Sequence, residues 1–324
     1  MKTLYWIDDT HDEGKPPKPP AQKRLEKGLS VELQVVTIEN RKQFDGLLAI
    51  IDGNRTCGVI MDYQLSKVGE GDRMAFGNTW AAEIRAAYPS VPVIGISHAR
   101  ECDIPRLRLE GFLAFFPRER LMGPNPPLGD ITALLEGFSQ VYRIIERHDN
   151  RGGSELMLDL LQPPQPVADL VRSAVPSSLR GPWDVDTPHT AGRWIWHEFQ
   201  GRPGFLFDAM GLATYLGLNP NGLQRVAKRF DTARYQGAFA SDGRTRWWVA
   251  AIRDLLELLT GDRIIGPVSS ARVELLKAAR LSKAEMNGLL ARAHGRKLSD
   301  EVPDCVAYRD DQREEDDRVQ KIIQ

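Results

Sequence analysis

Three short apolar runs end in oxygen-bearing side chains. Thr3-Leu4-Tyr5-Trp6-Ile7 runs into Asp8 and Asp9, Gly58-Val59-Ile60-Met61 into Asp62, and Val91-Pro92-Val93-Ile94-Gly95-Ile96 into Ser97. Short continuous apolar runs of this kind read as buried parallel strands. Open α/β sheets place their ligands at the carboxyl ends of such strands. The three ends are therefore read as one site. Carboxylates gathered at one edge repel one another and bind a hard divalent cation such as Mg2+. Asp8, Asp9 and Asp62 are the candidate metal ligands. A lone aspartate at a strand end means little, because turns favour it; the weight lies in the ordered set.

The elements that must position these residues follow from the pattern between them. Thr10 to Pro20 is a loop, since four prolines fall within its last five positions. Ala21 to Lys27 reads as a short helix, and Val31 to Ile38 as a strand. Arg41 to Ile51 reads as a helix with Phe44, Leu47, Leu48 and Ile51 at helical spacing, stopped by Asp52-Gly53-Asn54. Asp72 to Tyr88 is expected to be helical, with Met74, Trp80, Ala81, Ile84 and Ala87 inward. Ile104 to Glu110 is a short helix, Phe112 to Phe116 a strand ending at Pro117, and Leu128 to His148 a long helix. Strands alternating with helices in this way predict a doubly wound α/β domain with a five-stranded parallel sheet.

The bulk composition narrows the function. The chain has 324 residues, enough for two domains, and a net charge of −1, so any attraction to nucleic acid must be local. Cys57, Cys102 and Cys305 are three in number and far apart, which argues against a disulfide framework or a cysteine zinc site and suits a reducing cytosol. No apolar run nears the ~20 residues of a membrane span. The first residues read as a strand rather than a signal peptide, so a cytoplasmic protein is expected.

The ordered residues resemble the receiver domain of two-component response regulators over residues 1–149. Asp8-Asp9 matches that family's acidic pair after the first strand. Asp62, with Leu65 three residues on, matches its phosphoacceptor, and Ser97 matches the hydroxyl residue after the fourth strand. The resemblance implies a flavodoxin-like topology, Mg2+, phosphoryl transfer to Asp62 from a sensor histidine kinase or related ATPase, and a hydrogen bond from Ser97 to a phosphoryl oxygen. Two positions depart from the pattern. His98 stands where many members have a small residue, and Phe116 stands where the family has Lys before Pro117. Arg118 and Arg100 are the two candidate replacements for that charge.

Residues 150–188 read as a linker with short helices, including Leu156 to Leu161 and Val167 to Val175 around Gln162-Pro163-Pro164-Gln165-Pro166. Residues 189–324 read as a mainly helical effector domain. Within it, Leu212 to Leu218 forms a helix broken at Gly217, and Asn219 or Asn221 caps a second helix with Leu223, Val226, Ala227 and Phe230 inward. This resembles a helix-turn-helix over 209–252. Tyr235 to Ala240 and Thr245 to Trp248, around Asp242-Gly243, are expected to form the hairpin of the winged variant. Seven basic and two acidic residues between Asn219 and Arg253 give a local charge of +5, the footprint duplex DNA requires. Arg225, Lys228, Arg229, Arg244 and Arg246 are the candidate contacts. The same basic face is also what a solvated surface or a protein-binding domain presents.

Two functions follow as expectations. In the first, phosphorylation of Asp62 controls a DNA-binding C-terminal domain, with a second copy of the chain an allowed partner. In the second, a non-enzymatic adaptor docks its receiver-like domain on a kinase or ATPase and assembles protein partners through its helical domain. No nucleophile–base constellation or phosphate loop marks the C-terminal half, and an enzyme is not expected.

Overall fold

The computed structural model describes residues 1–8, 20–65, 75–98, 104, 109–147, 153–201, 204–240, 245–260 and 275. Asp9, Arg100, Arg244 and the loop up to Pro19 lie outside these residues, as do most of the helix expected at 104–110 and nearly all of the chain beyond residue 260. The contacts divide the chain into two units. The first comprises 1–163, 168–202 and 236–244; the second comprises 164–167, 203–235 and 245–324.

The first unit is built on a five-stranded parallel sheet. Its strands are β1 (Thr3–Asp8), β2 (Glu32–Thr37), β3 (Thr56–Asp62), β6 (Val93–Ser97) and β7 (Ala114–Pro117), in the order β2-β1-β3-β6-β7. The fold is α/β, and the strand order reverses direction beside β1 and β3, the switch point where such sheets bind ligands. Helices α1 (Pro20–Leu29), α2 (Arg41–Ile50), α3 (Gly77–Ala87), α4 (Arg118–Met122) and α5 (Leu128–Arg147) connect and cover the strands. β1 is buried at every position, as a central strand covered on both faces must be. Tyr5 and Ile7 join Val59, Met61, Phe44, Leu47, Trp80 and Ile84 in one core. Leu4, Trp6 and Ile60, of the opposite parity, are fully buried as well.

The helix expected from Asp72 begins instead at Gly77. Ala75–Phe76 (β5) pairs antiparallel with Gln64–Leu65 (β4), so these residues extend the chain before the helix. The Gly77 amide donates to the Tyr63 carbonyl at 2.8 Å. A Cβ on Gly77 would lie 2.2 Å from the Asp62 carbonyl oxygen. Only glycine allows α3 to start that close to the end of β3.

Further along, α6 (Ser154–Leu161), α7 (Gln165–Ala174) and α8 (Thr187–Arg193) follow, and α8 continues into a π-helical turn at Trp194–Phe199. Within the first unit α8 packs on α5, with Phe138 edge-on to His189. Trp196 meets Phe239, and Gly137 leaves room for the Phe239 ring.

In the second unit, α9 (Ala209–Leu216) and α10 (Pro220–Val226) form a helix pair followed by a 3-10 stretch, Ala227–Ala233, and by α11 (Val249–Thr260). Leu212, Leu216, Leu218, Leu223, Val226, Phe230, Trp247, Ile252 and Leu256 make its core. The expected hairpin is seen only at its base, where the Tyr235 amide donates to the Arg246 carbonyl at 2.8 Å; its Asp242-Gly243 turn lies outside the described residues. Trp247–Trp248 (β9) pairs with Leu206–Phe207 (β8), and Arg234 forms a single bridge to Trp247. Gln236–Ala240 is drawn into the first unit because burial there outweighs pairing: the Ala238 amide donates to the Leu160 carbonyl, and Phe239 is buried with φ at +64°.

Candidate functional site

The register of β1 on β3 pairs Trp6 with Ile60 and Ile7 with Met61, which brings Asp8 beside Asp62 at the carboxyl edge. Both carboxylates are buried. Two carboxylates taken from water side by side need a cation or a proton. Arg118 supplies the cation. Its Nη1 donates to Asp62 Oδ2 at 2.7 Å, and its Nη2 donates to Asp8 Oδ2. The Arg118 side chain is itself only 15% exposed. Burial works against its charge, but the hydrogen bonds and attraction from Asp8 and Asp62 outweigh it and hold the Arg118 pKa above its ordinary value.

The remaining groups fix the carboxylates in place. Asp62 Oδ1 accepts the Gln64 amide at 3.0 Å, a turn closed by its own side chain. The Trp6 indole N–H points at Asp8 Oδ2 from 3.5 Å. Ser97 is fully buried and pairs in register with Pro117, the residue before Arg118. β7 thus delivers Arg118 to the site from the far side of β6. Phe116, at the position where the resemblance places Lys, is buried. Of the two candidate replacements, Arg118 is the one seen in the pocket; Arg100 lies outside the described residues. The sequence could have favoured Arg118 by its place just beyond a strand end, but not its double contact.

One oxygen from each of Asp8 and Asp62 is committed to the same guanidinium. No group of three His, Cys, Asp or Glu suited to a metal occurs among the described residues. Asp9, the third expected ligand, lies outside them. The chemistry available to this arrangement is that of a fixed carboxylate flanked by a two-donor cation.

A cavity of about 860 Å3 opens at the opposite, amino-terminal edge of the sheet, bordered by Lys2, Thr56, Cys57, Tyr142 and Arg143. Cys57 there points its thiol at the Thr3 carbonyl, 3.3 Å away, and burial pushes its pKa up. A raised thiol pKa removes nucleophilic character.

His189 and His197 have structural surroundings. His189 is buried, and its Nδ1 accepts from Arg85 Nη1 at 3.3 Å. Burial, then the nearby charges of Arg85 and Arg193, push its pKa well below the usual value. His197 Nε2 lies 3.1 Å from the Leu113 carbonyl.

In the second unit, Gly217 adopts the left-handed conformation that ends α9, at φ +64°. Asn219 rather than Asn221 caps α10, accepting the Gly222 amide at 2.9 Å. Gln224, Arg225, Lys228 and Arg229 lie opposite buried Leu223, Val226 and Phe230, on the outward face the spacing predicts. Lys228 and Arg229 sit on the 3-10 stretch rather than on a continuing α-helix. Arg246 is half-buried beside Trp247.

No family model matches the chain, and no curated protein matches it. Among the solved structures that align are two response regulators. One, from Burkholderia pseudomallei, carries a phosphorylated aspartic acid, a calcium ion and citrate; it is 11% identical, with a TM-score of 0.29, over 49% of this chain and 91% of its own. The other is the response regulator StyR, 11% identical, with a TM-score of 0.26, over 59% of this chain and 98% of its own. The α/β fold of the first unit stands on its strand order and register. No helix among the described residues is long and apolar enough to cross a membrane.

Proposed function

We propose that this chain is a cytoplasmic, receiver-like signalling protein whose Asp62 pocket is the regulatory input. The observation that carries the reading is the meeting of Asp8, Asp62 and Arg118 at the switch point of a β2-β1-β3-β6-β7 sheet. The step fits the residues. An Asp62 oxygen attacks the phosphorus of an acyl phosphate or of a kinase phosphohistidine. The bond from phosphorus to the donor breaks, and the donor leaves with that electron pair. Asp62 becomes the acyl phosphate, with Arg118 positioned to hold a phosphoryl oxygen and Ser97 at the adjoining strand end. No substrate is turned over. In the resemblance the divalent ion, Mg2+, assists donor approach; here Asp8 and Asp62 would have to leave Arg118 to hold it. Acetyl phosphate should add one phosphoryl group to wild type and none to Asp62→Asn, read by intact mass. Absence of the adduct in wild type at every metal condition removes phosphoryl acceptance from the reading.

The second unit is proposed as the output, binding duplex DNA through Arg225, Lys228 and Arg229, with Arg244 and Arg246 as further contacts. Its support is the Gly217–Asn219 turn and the outward basic face. A second reading, an adaptor that binds protein, is favoured by the pairing of β9 with β8 and by the seven-residue length of α10. Duplex binding that weakens steeply with salt, and is lost in the Arg225→Ala/Lys228→Ala/Arg229→Ala variant, selects the first. No binding at low salt selects the second.

A further inference from the structure

A divalent ion and the Arg118 guanidinium would compete for the same two carboxylates. We propose that Arg118 is the resident cation of this pocket, standing between Asp8 and Asp62 in place of a divalent ion, so that the two are mutually exclusive there. The proposal rests on the reading of Asp62 as the regulatory site and concerns what neutralises it.

Four observations carry it. The planar guanidinium gives one donor to each carboxylate, a two-pronged match that an ammonium cannot make. A divalent ion needs its oxygens at roughly 2.0–2.5 Å from its own centre, and the space between these oxygens is taken by the two Nη atoms. The other Asp62 oxygen is held by the Gln64 amide, so rotating the carboxylate to serve both cations costs a hydrogen bond. Finally, Arg118 springs from the first position of α4, directly after Pro117, which is fixed in register beside Ser97. Its backbone origin is set by the sheet.

An ion therefore enters only if the guanidinium leaves both carboxylates at once. The buried Phe116 completes the argument: the residue that the resemblance would make a single-point ammonium is in the core, and the charge comes two residues later in a form that serves both aspartates.

The test is Mn2+ binding by the full chain, followed by titration calorimetry and by the electron-spin signal of free Mn2+. Wild type is expected to show no Mn2+ uptake that Asp8→Asn removes. Arg118→Met, which keeps the apolar stem, is expected to bind one Mn2+ roughly tenfold or more tightly than wild type, and Arg118→Met/Asp8→Asn to lose it. If Arg118→Met is unfolded without metal, recovery of its melting transition on adding Mn2+ supports the proposal equally. If it folds in neither condition, the wild-type titration decides. Asp8-dependent Mn2+ uptake by wild type with the affinity of Arg118→Met overturns the proposal, as does a folded Arg118→Met that gains no site. The outcome is separable from that of the phosphoryl reading. Wild type that takes up Mn2+ at Asp8 and is modified at Asp62 sinks this inference alone. Wild type without Mn2+ uptake and without an adduct under any condition sinks the reading alone.

Discussion

The Asp62 pocket and the outward face of α10 and the 3-10 stretch after it are both clusters of charge, and they are built in opposite ways. In the pocket, Asp8, Asp62 and Arg118 are withdrawn from water, and each charge is answered by another within the same unit. On α10 and the 3-10 stretch, Arg225, Lys228 and Arg229 face outward at one sign. Buried charge is tolerated only when it is paired, so removing one member of the pocket leaves its partners with an uncompensated desolvation cost. Exposed charge is screened and contributes little to stability, so its consequence is reserved for whatever binds. The first region is written into the fold; the second is available to a partner.

That contrast is broken most directly at Arg118. Arg118→Ala should destabilise the first unit by about 3–5 kcal/mol, measured by urea unfolding. Adding Asp62→Asn to it should recover part of the loss, and a full additive loss in that double variant would show that the charges are not coupled. Gly77→Ala comes next, at about 1–3 kcal/mol, because its Cβ would meet the Asp62 carbonyl at 2.2 Å; it should also slow acetyl phosphate labelling.

Third, His189 makes the first unit acid-sensitive. Its folded pKa is depressed by burial, then by Arg85 and Arg193, so below about pH 6.5, the unfolded value, the unfolded chain holds more protons. The stability is complete above that pH and declines as pH falls toward the folded pKa, by at most about 1.4 kcal/mol per pH unit for one proton. Urea midpoints between pH 7.5 and 5.5 should show a slope that His189→Gln diminishes. Asn219→Ala should cost the second unit about 1 kcal/mol by removing its helix cap, seen as a lower melting temperature. Smallest in stability is Arg225→Ala/Lys228→Ala/Arg229→Ala, within about 0.5 kcal/mol of wild type; under the proposed DNA output its effect would fall on affinity, with the salt slope reduced by roughly 0.9 for each phosphate no longer neutralised.

Much of this was determined by local pattern. Apolar runs at Thr3–Ile7, Gly58–Met61 and Val91–Ile96 read as buried strands, and the helical spacing of Phe44 and Leu47 as a stripe that faces a core, as both do. The order of those elements implied the parallel sheet, and strand polarity placed Asp8, Asp62 and Ser97 at one edge. Gly217 and the Asn219–Asn221 pair announced the turn in the second unit, because one tolerates a left-handed conformation and the other caps.

Tertiary structure decided what depends on residues far apart in sequence. Arg118 reaches Asp8 across 110 positions, a contact that no spacing along the chain encodes. The close start of α3 at Gly77 reflects space beside Asp62, not helix propensity, which is why the run from Asp72 misled. Phe239 had the look of a strand residue, yet it is buried against Gly137 and Trp196, and Trp247–Trp248 pairs with Leu206–Phe207 instead. Pairing of short strands is weak beside the burial of large rings, so the core chose the partner. Local chemistry specified which carboxylate would sit at the switch point; only the folded sheet could say which cation would answer it.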